Sequence, residues 1–285
     1  MPRATIDRLG KIGVGLLVLG LLWGAWEAYR WIWTTLDLTR PFPVDDTTMP
    51  HLHDIVGALF DRTSNGPLLI DLLFHAALFT AKEAAVGFVL GATFGFLLGA
   101  IVARFLVLQR GLMPYIVASQ TIPILAIAPI VVVGLGSLEI AGWTPDDWMR
   151  VSVIAAYLTF FPVMVNTVRG LHSVDPAALE LMESYAAGEW AIFWKLRVPA
   201  ALPFLFAAFR ISATASIVGA IIGELPSSIQ DGLGGAIINF NQYYALTPRY
   251  LWATNLVAAA LGIAFFLAVV AAERIVVRRA PEHVA

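Results

Sequence analysis

The chain has 285 residues, 59% of them hydrophobic and only 13% charged, with a mean hydropathy of +0.79, too apolar a balance for one water-soluble domain. Eighteen Lys and Arg against 20 Asp and Glu leave no basic excess of the kind that holds nucleic acid. With no cysteine, a disulfide framework, a thiolate metal site and a cysteine nucleophile are all excluded.

A helix needs about 20 apolar residues to cross the hydrocarbon core of a bilayer. The first candidate, Ile12 to Trp33, carries Glu27 and Arg30 among Trp23, Trp26, Tyr29, Trp31 and Trp33, an aromatic belt of the membrane-interface kind. It is expected to be an anchor helix over 11–36. A segment from Asp37 to about Ala77 follows, punctuated by four prolines and carrying Asp45, Asp46, Asp54, Asp61 and Asp71. Within it, His51 to Phe60 reads as a short amphipathic helix on the membrane surface. His51 and His53 stand two apart with no third metal ligand evident, so the segment is read as a surface loop and no metal is expected.

The second span, Ala84 to Ala103, places Gly87, Gly91, Gly95 and Gly99 at four-residue spacing along nearly one helical face, which lets another helix approach its backbone. The third, Gly111 to Leu138, contains Pro114, Pro123 and Pro129 beside Gln120 and Thr121. Proline frees carbonyls, so Gln120 to Pro129 is expected to be a broken helix flanking a pathway. A short loop with Pro145, Asp146 and Asp147 starts the fourth span, Val151 to Val168. After the next loop comes the fifth, Pro199 to Gly223, with Ser212, Thr214 and Ser216 as a small, hydroxylated wall suited either to a translocation path or to helix contact. Arg210, near the inner end, is expected to snorkel to the interface or to pair with an acid, snorkelling being the simpler account. The sixth span is Leu251 to Ala272.

With the N-terminus inside, eleven bases (Arg3, Arg8, Lys11, Arg104, Arg110, Arg169, Lys195, Arg197, Arg274, Arg278 and Arg279) fall on the inner side and five on the outer. The split puts both termini in the cytoplasm. The expectation is one all-α, polytopic membrane domain over residues 1–285, with about six spans, a core at 77–279 and a long inner loop at 170–201. No phosphate-cradling GxxxxGK[ST] loop, Gly-x-Ser-x-Gly or His-Glu-x-x-His occurs, so the chain is not expected to be an enzyme or to hydrolyse ATP itself. A secondary transporter would want acids mid-span, whereas Glu27, Glu83, Glu224 and Glu273 fall near the ends of these spans.

The inner loop opens with Asp175-Pro176, an N-cap and first-turn proline. A short amphipathic helix bearing Glu180 and Glu183 then runs to Gly188, and a second one with Trp190, Phe193 and Trp194 leads into Pro199. Such a helix-turn-helix suits docking into a partner's groove.

From Glu180 through Ala186, and nine residues on to Leu196-Arg197-Val198-Pro199, the loop resembles the EAA loop of binding-protein-dependent ABC importer permeases. Leu181 and Met182 replace its two alanines and Ala186 its glycine, so the turn is expected two residues later, at Gly188. The resemblance extends over roughly Pro41 to Arg279, through the glycine-rich second span, Gln120-Thr-Ile-Pro123, Gly223-Glu224 and Gly232-Leu-Gly234. It resembles the nitrate, sulfonate and taurine branch of these permeases. It implies a type I importer permease of the MetI-like fold, in the plasma (inner) membrane. It implies a second permease subunit in a homodimer or paired half-channel, a cytoplasmic ATPase dimer binding ATP and Mg, and an extracytoplasmic substrate-binding protein. Glu180, Glu183, Ala186, Gly188, Arg197 and Pro199 are the expected coupling residues.

The tract from Glu224 to Tyr244 is similar to relatives associated with pyrimidine, thiamine-precursor or riboflavin uptake. Glu224, Asn239, Asn241, Gln242, Tyr243 and Tyr244 are expected at an outer gate or against a planar heterocycle. A gate or docking loop with no substrate contact is the alternative.

Overall fold

The computed structural model describes residues 2–40, 43–63, 66–139, 142–227 and 229–277, with side chains from Gly13 onward. Arg278 and Arg279, two of the expected inner bases, lie outside the described residues, as do the side chains of Arg3, Arg8 and Lys11. The described chain is helical, with one isolated antiparallel bridge, Arg62 to Leu68. Its helices are α1 (Pro2–Thr35), α2 (Leu52–Ala58), α3 (Leu69–Arg104), α4 (Leu106–Ser119), α5 (Ile124–Gly136), α6 (Asp147–Leu171), α7 (Pro176–Ser184), α8 (Glu189–Ile192), α9 (Val198–Glu224), α10 (Leu233–Gln242) and α11 (Pro248–Val276). A π-helical turn, Phe193–Arg197, joins α8 to α9.

Among the described residues α3, α6, the continuous Glu189–Glu224 helix and α11 are long and apolar enough to cross a membrane. Helices α4 and α5, bent by 96° at their break, pass the same test only as a pair, and count as a fifth if the pair is one broken span. Helix α1, which is not among these spans, covers the segment expected as an anchor and turns Leu16, Leu19 and Leu22 outward. Large apolar side chains such as Leu90, Phe94, Ile263 and Leu267 likewise face outward, as lipid-facing positions do. The protein is an all-α, multi-pass membrane protein.

Two compact units divide the chain, one of Met1–Leu72 with Asn239–Leu256, the other of Leu73–Ile238 with Val257–Ala285. In the first, the Trp26 indole donates to the Pro50 carbonyl at 3.1 Å and meets Trp252 edge-on. Arg30 is buried, donates to the Met49 carbonyl and pairs with Asp46. These contacts hold the segment after α1 against it.

The second unit is built on small residues. Gly87, Gly91, Gly95 and Gly99 of α3 face α6, where a Cβ on Gly91 or Gly99 would fall 2.7 Å from the Cβ of Thr159 or Thr167. On another side of α6, Gly219 of α9 lies against Ala155, and Gly170 lies against Ala201. Without strong hydrophobic attraction between helices in lipid, such close backbone approach is what gives dispersion its reach. Val163, Ala201, Leu205 and Ala208 form one buried cluster there, and Ala84, Val151, Ile217 and Ala220 another.

Candidate coupling loop and transport core

Helix α7 starts where the sequence places it: the Asp175 carboxylate accepts from the Ala177 N–H at 2.9 Å, with Pro176 in the first turn. It ends at Ser184, and its turn falls two residues before the expected one. Ala186 takes the left-handed conformation (φ 55°), its N–H donating to Glu183 O at 2.8 Å and that of Ala187 to Met182 O at 3.0 Å. That pair of bonds is a Schellman motif. Gly188 instead has φ −67° and precedes α8 in extended form. The expected shift of the turn to Gly188 is therefore corrected: the bonding at the helix end fixes the position, and alanine accepts the strain.

Helix α7 buries none of its residues; Glu180, Leu181, Glu183 and Tyr185 are exposed. Beyond it the chain widens into the π turn, where Val198 N–H reaches back to Phe193 O. Pro199 stands one residue on, in the first turn of α9, and has no N–H for a Lys195 carbonyl. Arg197 is half-buried and Pro199 exposed. Glu189 forms a 3.3 Å ion pair with Arg104, and the His172 ring lies 3.1 Å from the Ala103 carbonyl. The two loops expected on the inner face thus lie on one side. An apolar groove of about 430 Å³ beside them is lined by Phe96, Ile101, Leu171, Trp190, Phe193 and Trp194.

The break in the third span falls at Gln120 to Pro123. Pro123 cannot donate to the carbonyl of Ser119, and the Tyr157 hydroxyl of α6 does so instead, at 2.7 Å. The Thr121 hydroxyl turns back to Ala118 O at 2.8 Å, and the Gln120 amide reaches only Ser119 Oγ, at 3.4 Å. Of the hydroxyls on α9, Ser212 and Ser216 are fully buried: Ser212 donates to the Thr159 carbonyl of α6 at 3.2 Å, Ser216 to Ala213 O at 2.9 Å. Ser212 thus bonds across to α6 and Ser216 within α9, while Thr214 is exposed and bonded to Ile211 O.

Of the two readings of Arg210, the structure contains the acid pair: its guanidinium binds both oxygens of Glu273 on α11, Nε to Oε2 at 2.8 Å. A bidentate pair compensates charge that open water would otherwise have to solvate. Glu224 is the residue expected at an outer gate or against a heterocycle. It is fully buried, accepts from the Thr80 hydroxyl at 2.6 Å and from Gly234 N–H, while Leu233 N–H donates to Thr80 Oγ1 at 2.9 Å. Glu83, also fully buried, is the fifteenth residue of α3, roughly 21 Å from its start, and so is well inside the helix. The charge-free run from Ala84 concealed the helix's true start at Leu69. Thr80 and Glu83, at i,i+3 spacing on one face, were the missed members of this cluster; only Glu224 was singled out. Neither Glu83 oxygen has a hydrogen-bond partner among the described residues.

In the other unit, Asn239, Asn241, Gln242 and Tyr243 are exposed at the end of α10 and just beyond it. Tyr244 is occupied: its hydroxyl donates to the Thr47 carbonyl and accepts from the Trp252 indole at 3.2 Å. Ser228 of the same tract lies outside the described residues.

The chain is similar to several curated permeases. It is 34% identical to the formylaminopyrimidine transport permease protein ThiX of Halalkalibacterium halodurans, over 54% of this chain and 58% of that protein. It is 29% identical to the riboflavin transport system permease protein RibX of Chloroflexus aurantiacus, over 68% and 66%. It is 28% identical to the putative aliphatic sulfonates transport permease protein SsuC of Bacillus subtilis, over 60% and 58%. The chain thus spans a little under two thirds of each relative's length. Residues 91–281 match a family model that takes in the bent α4–α5 pair, the loop bearing α7 and the closing helices, so the chain belongs to the family of binding-protein-dependent transport system inner membrane components.

Proposed function

We propose that this chain is the permease subunit of an ABC importer, carrying a small organic solute across the inner membrane with both its termini in the cytoplasm. A separate ATPase dimer, binding ATP and Mg, powers it, and an extracytoplasmic binding protein feeds it. A second permease subunit completes the channel. The observation that carries the reading is α7: a capped helix that buries nothing of its own chain, with Leu181 and Tyr185 exposed, between α6 and the helix that becomes α9. A push on α7 passes through the π turn and Pro199 into α9, whose glycines bear on α6.

The solute favoured is a pyrimidine, thiamine-precursor or flavin-like heterocycle, on the strength of the ThiX and RibX similarities and the exposed amides beside Tyr243. A sulfonate, taurine or nitrate is the alternative, supported by SsuC. An ATP-independent carrier is disfavoured by the family, not by a lack of buried acids, since Glu83 and Glu224 supply two. Co-purification with the ATPase tests the coupling role: Leu181→Asp should abolish it while leaving the permease folded, and unchanged co-purification and transport would refute it. Binding of candidate heterocycles and sulfonates to the partner binding protein decides the solute.

A further inference from the structure

The first unit holds a group of side chains for which the transport reading has no use. Glu27 of α1 and His51 and His53, 24 and 26 residues later, each bring one ligand atom to within 4.8 Å of the others. Glu27 Oε2 lies 2.7 Å from His51 Nδ1, and Glu27 Oε1 accepts from Leu52 N–H at 3.2 Å. The His51 and His53 rings are 5.0 Å apart, tilted by 32°. The two histidines straddle the start of α2: His51 is extended (φ −62°, ψ 140°) and His53 lies in the first turn, which brings both rings towards the same carboxylate.

We propose that Glu27, His51 and His53 form a site for a divalent transition-metal ion, zinc fitting best. Two imidazoles and a carboxylate are a borderline donor set that suits zinc, with water as fourth ligand. Tetrahedral bonds of about 2.0–2.2 Å place ligand atoms about 3.4 Å apart, so the site closes by side-chain rotation, chiefly of the exposed His53. The backbone under it is already held: Trp26 bonds Pro50, and Arg30 bonds Met49 and Asp46, on either side of Glu27 and immediately before His51. Asp54 Oδ1 stands 3.5 Å from His53 Nε2, where a carboxylate can orient a ligating imidazole through its second nitrogen. A bound ion would clamp the end of α1 to the segment before α3, the stretch expected on the outer face. The sequence concealed the site because its third ligand is far upstream, in an apolar helix.

The test is zinc binding by the full chain, purified in detergent without a polyhistidine tag and stripped of metal. Calorimetry with zinc chloride is expected to give one ion per chain. Cobalt substitution should give the intense visible bands of a tetrahedral site. Glu27→Gln, His51→Ala and His53→Gln should each weaken binding about tenfold or more, with His172→Asn unchanged. His53→Gln, altering the most exposed ligand, separates loss of a ligand from loss of fold. Wild-type protein with no zinc affinity better than about 0.1 mM, or a triple variant that binds like wild type, would overturn the proposal.

Discussion

The Thr80 hydroxyl donates to Glu224 Oε1 at 2.6 Å across 144 residues of sequence, and through Leu233 N–H the same threonine holds the turn that follows α9. Glu224 is thereby satisfied by donors from α3 and α10, while Glu83, lying against it, has no hydrogen-bond partner among the described residues. Removing the threonine hydroxyl (Thr80→Val) leaves a buried carboxylate short of a donor and is expected to cost about 1.5–3 kcal/mol. Glu83→Gln brings an amide N–H to the place where Glu224 can accept it, and should leave stability unchanged or raised. Thermal unfolding in detergent distinguishes the two; equal losses would refute this assignment of donors.

Gly91 bears directly on α6. A methyl group there would meet Thr159 Cβ at 2.7 Å and the α6 backbone at Ala156, so Gly91→Ala should cost about 1–3 kcal/mol by forcing the helices apart. Gly262→Ala, in α11 with nothing within 4 Å of the added atom, should be neutral or slightly stabilising. The difference in melting temperature between the two variants is the readout.

Ala186 carries the φ of 55° that ends α7. Glycine takes that conformation without steric cost, and Ala186→Gly is therefore expected to stabilise the loop by up to about 1 kcal/mol. Gly188→Ala, at φ −67° in open space, should change little. Hydrogen exchange at the Ala187 amide, slower in Ala186→Gly, checks the first; a destabilised Ala186→Gly protein would contradict it.

Asp45 is held at about 2, first by the Thr47 hydroxyl and then by the Thr48 N–H, against an ordinary value of 3.8. A lowered carboxyl in the folded chain contributes stability fully present above about pH 4 and lost as the pH falls towards 2. The Thr48 amide, which donates to Asp45 Oδ1 at 2.8 Å, should titrate with a midpoint near pH 2. A midpoint near 3.8 would mean the turn is not formed in solution.

Much of this was legible in the chain. Apolar runs located the spans, Asp175-Pro176 located the start of α7, and Pro123 located the broken helix, because each is a local signal with a local cause. What escaped were long-range partners. Nothing near Glu83 or Thr80 announces Glu224, nothing near Arg210 announces Glu273, and a glycine at 188 looked a better turn than an alanine at 186 until the hydrogen bonds fixed the position. The same holds for Tyr157, which satisfies Ser119 from another helix.

If transport draws its energy from a partner ATPase through α7, the place to see it is solute uptake into proteoliposomes containing this chain, its ATPase and its binding protein. Uptake should require ATP on the ATPase side and be lost in Leu181→Asp; uptake driven by an ion gradient without ATP would contradict coupling through α7.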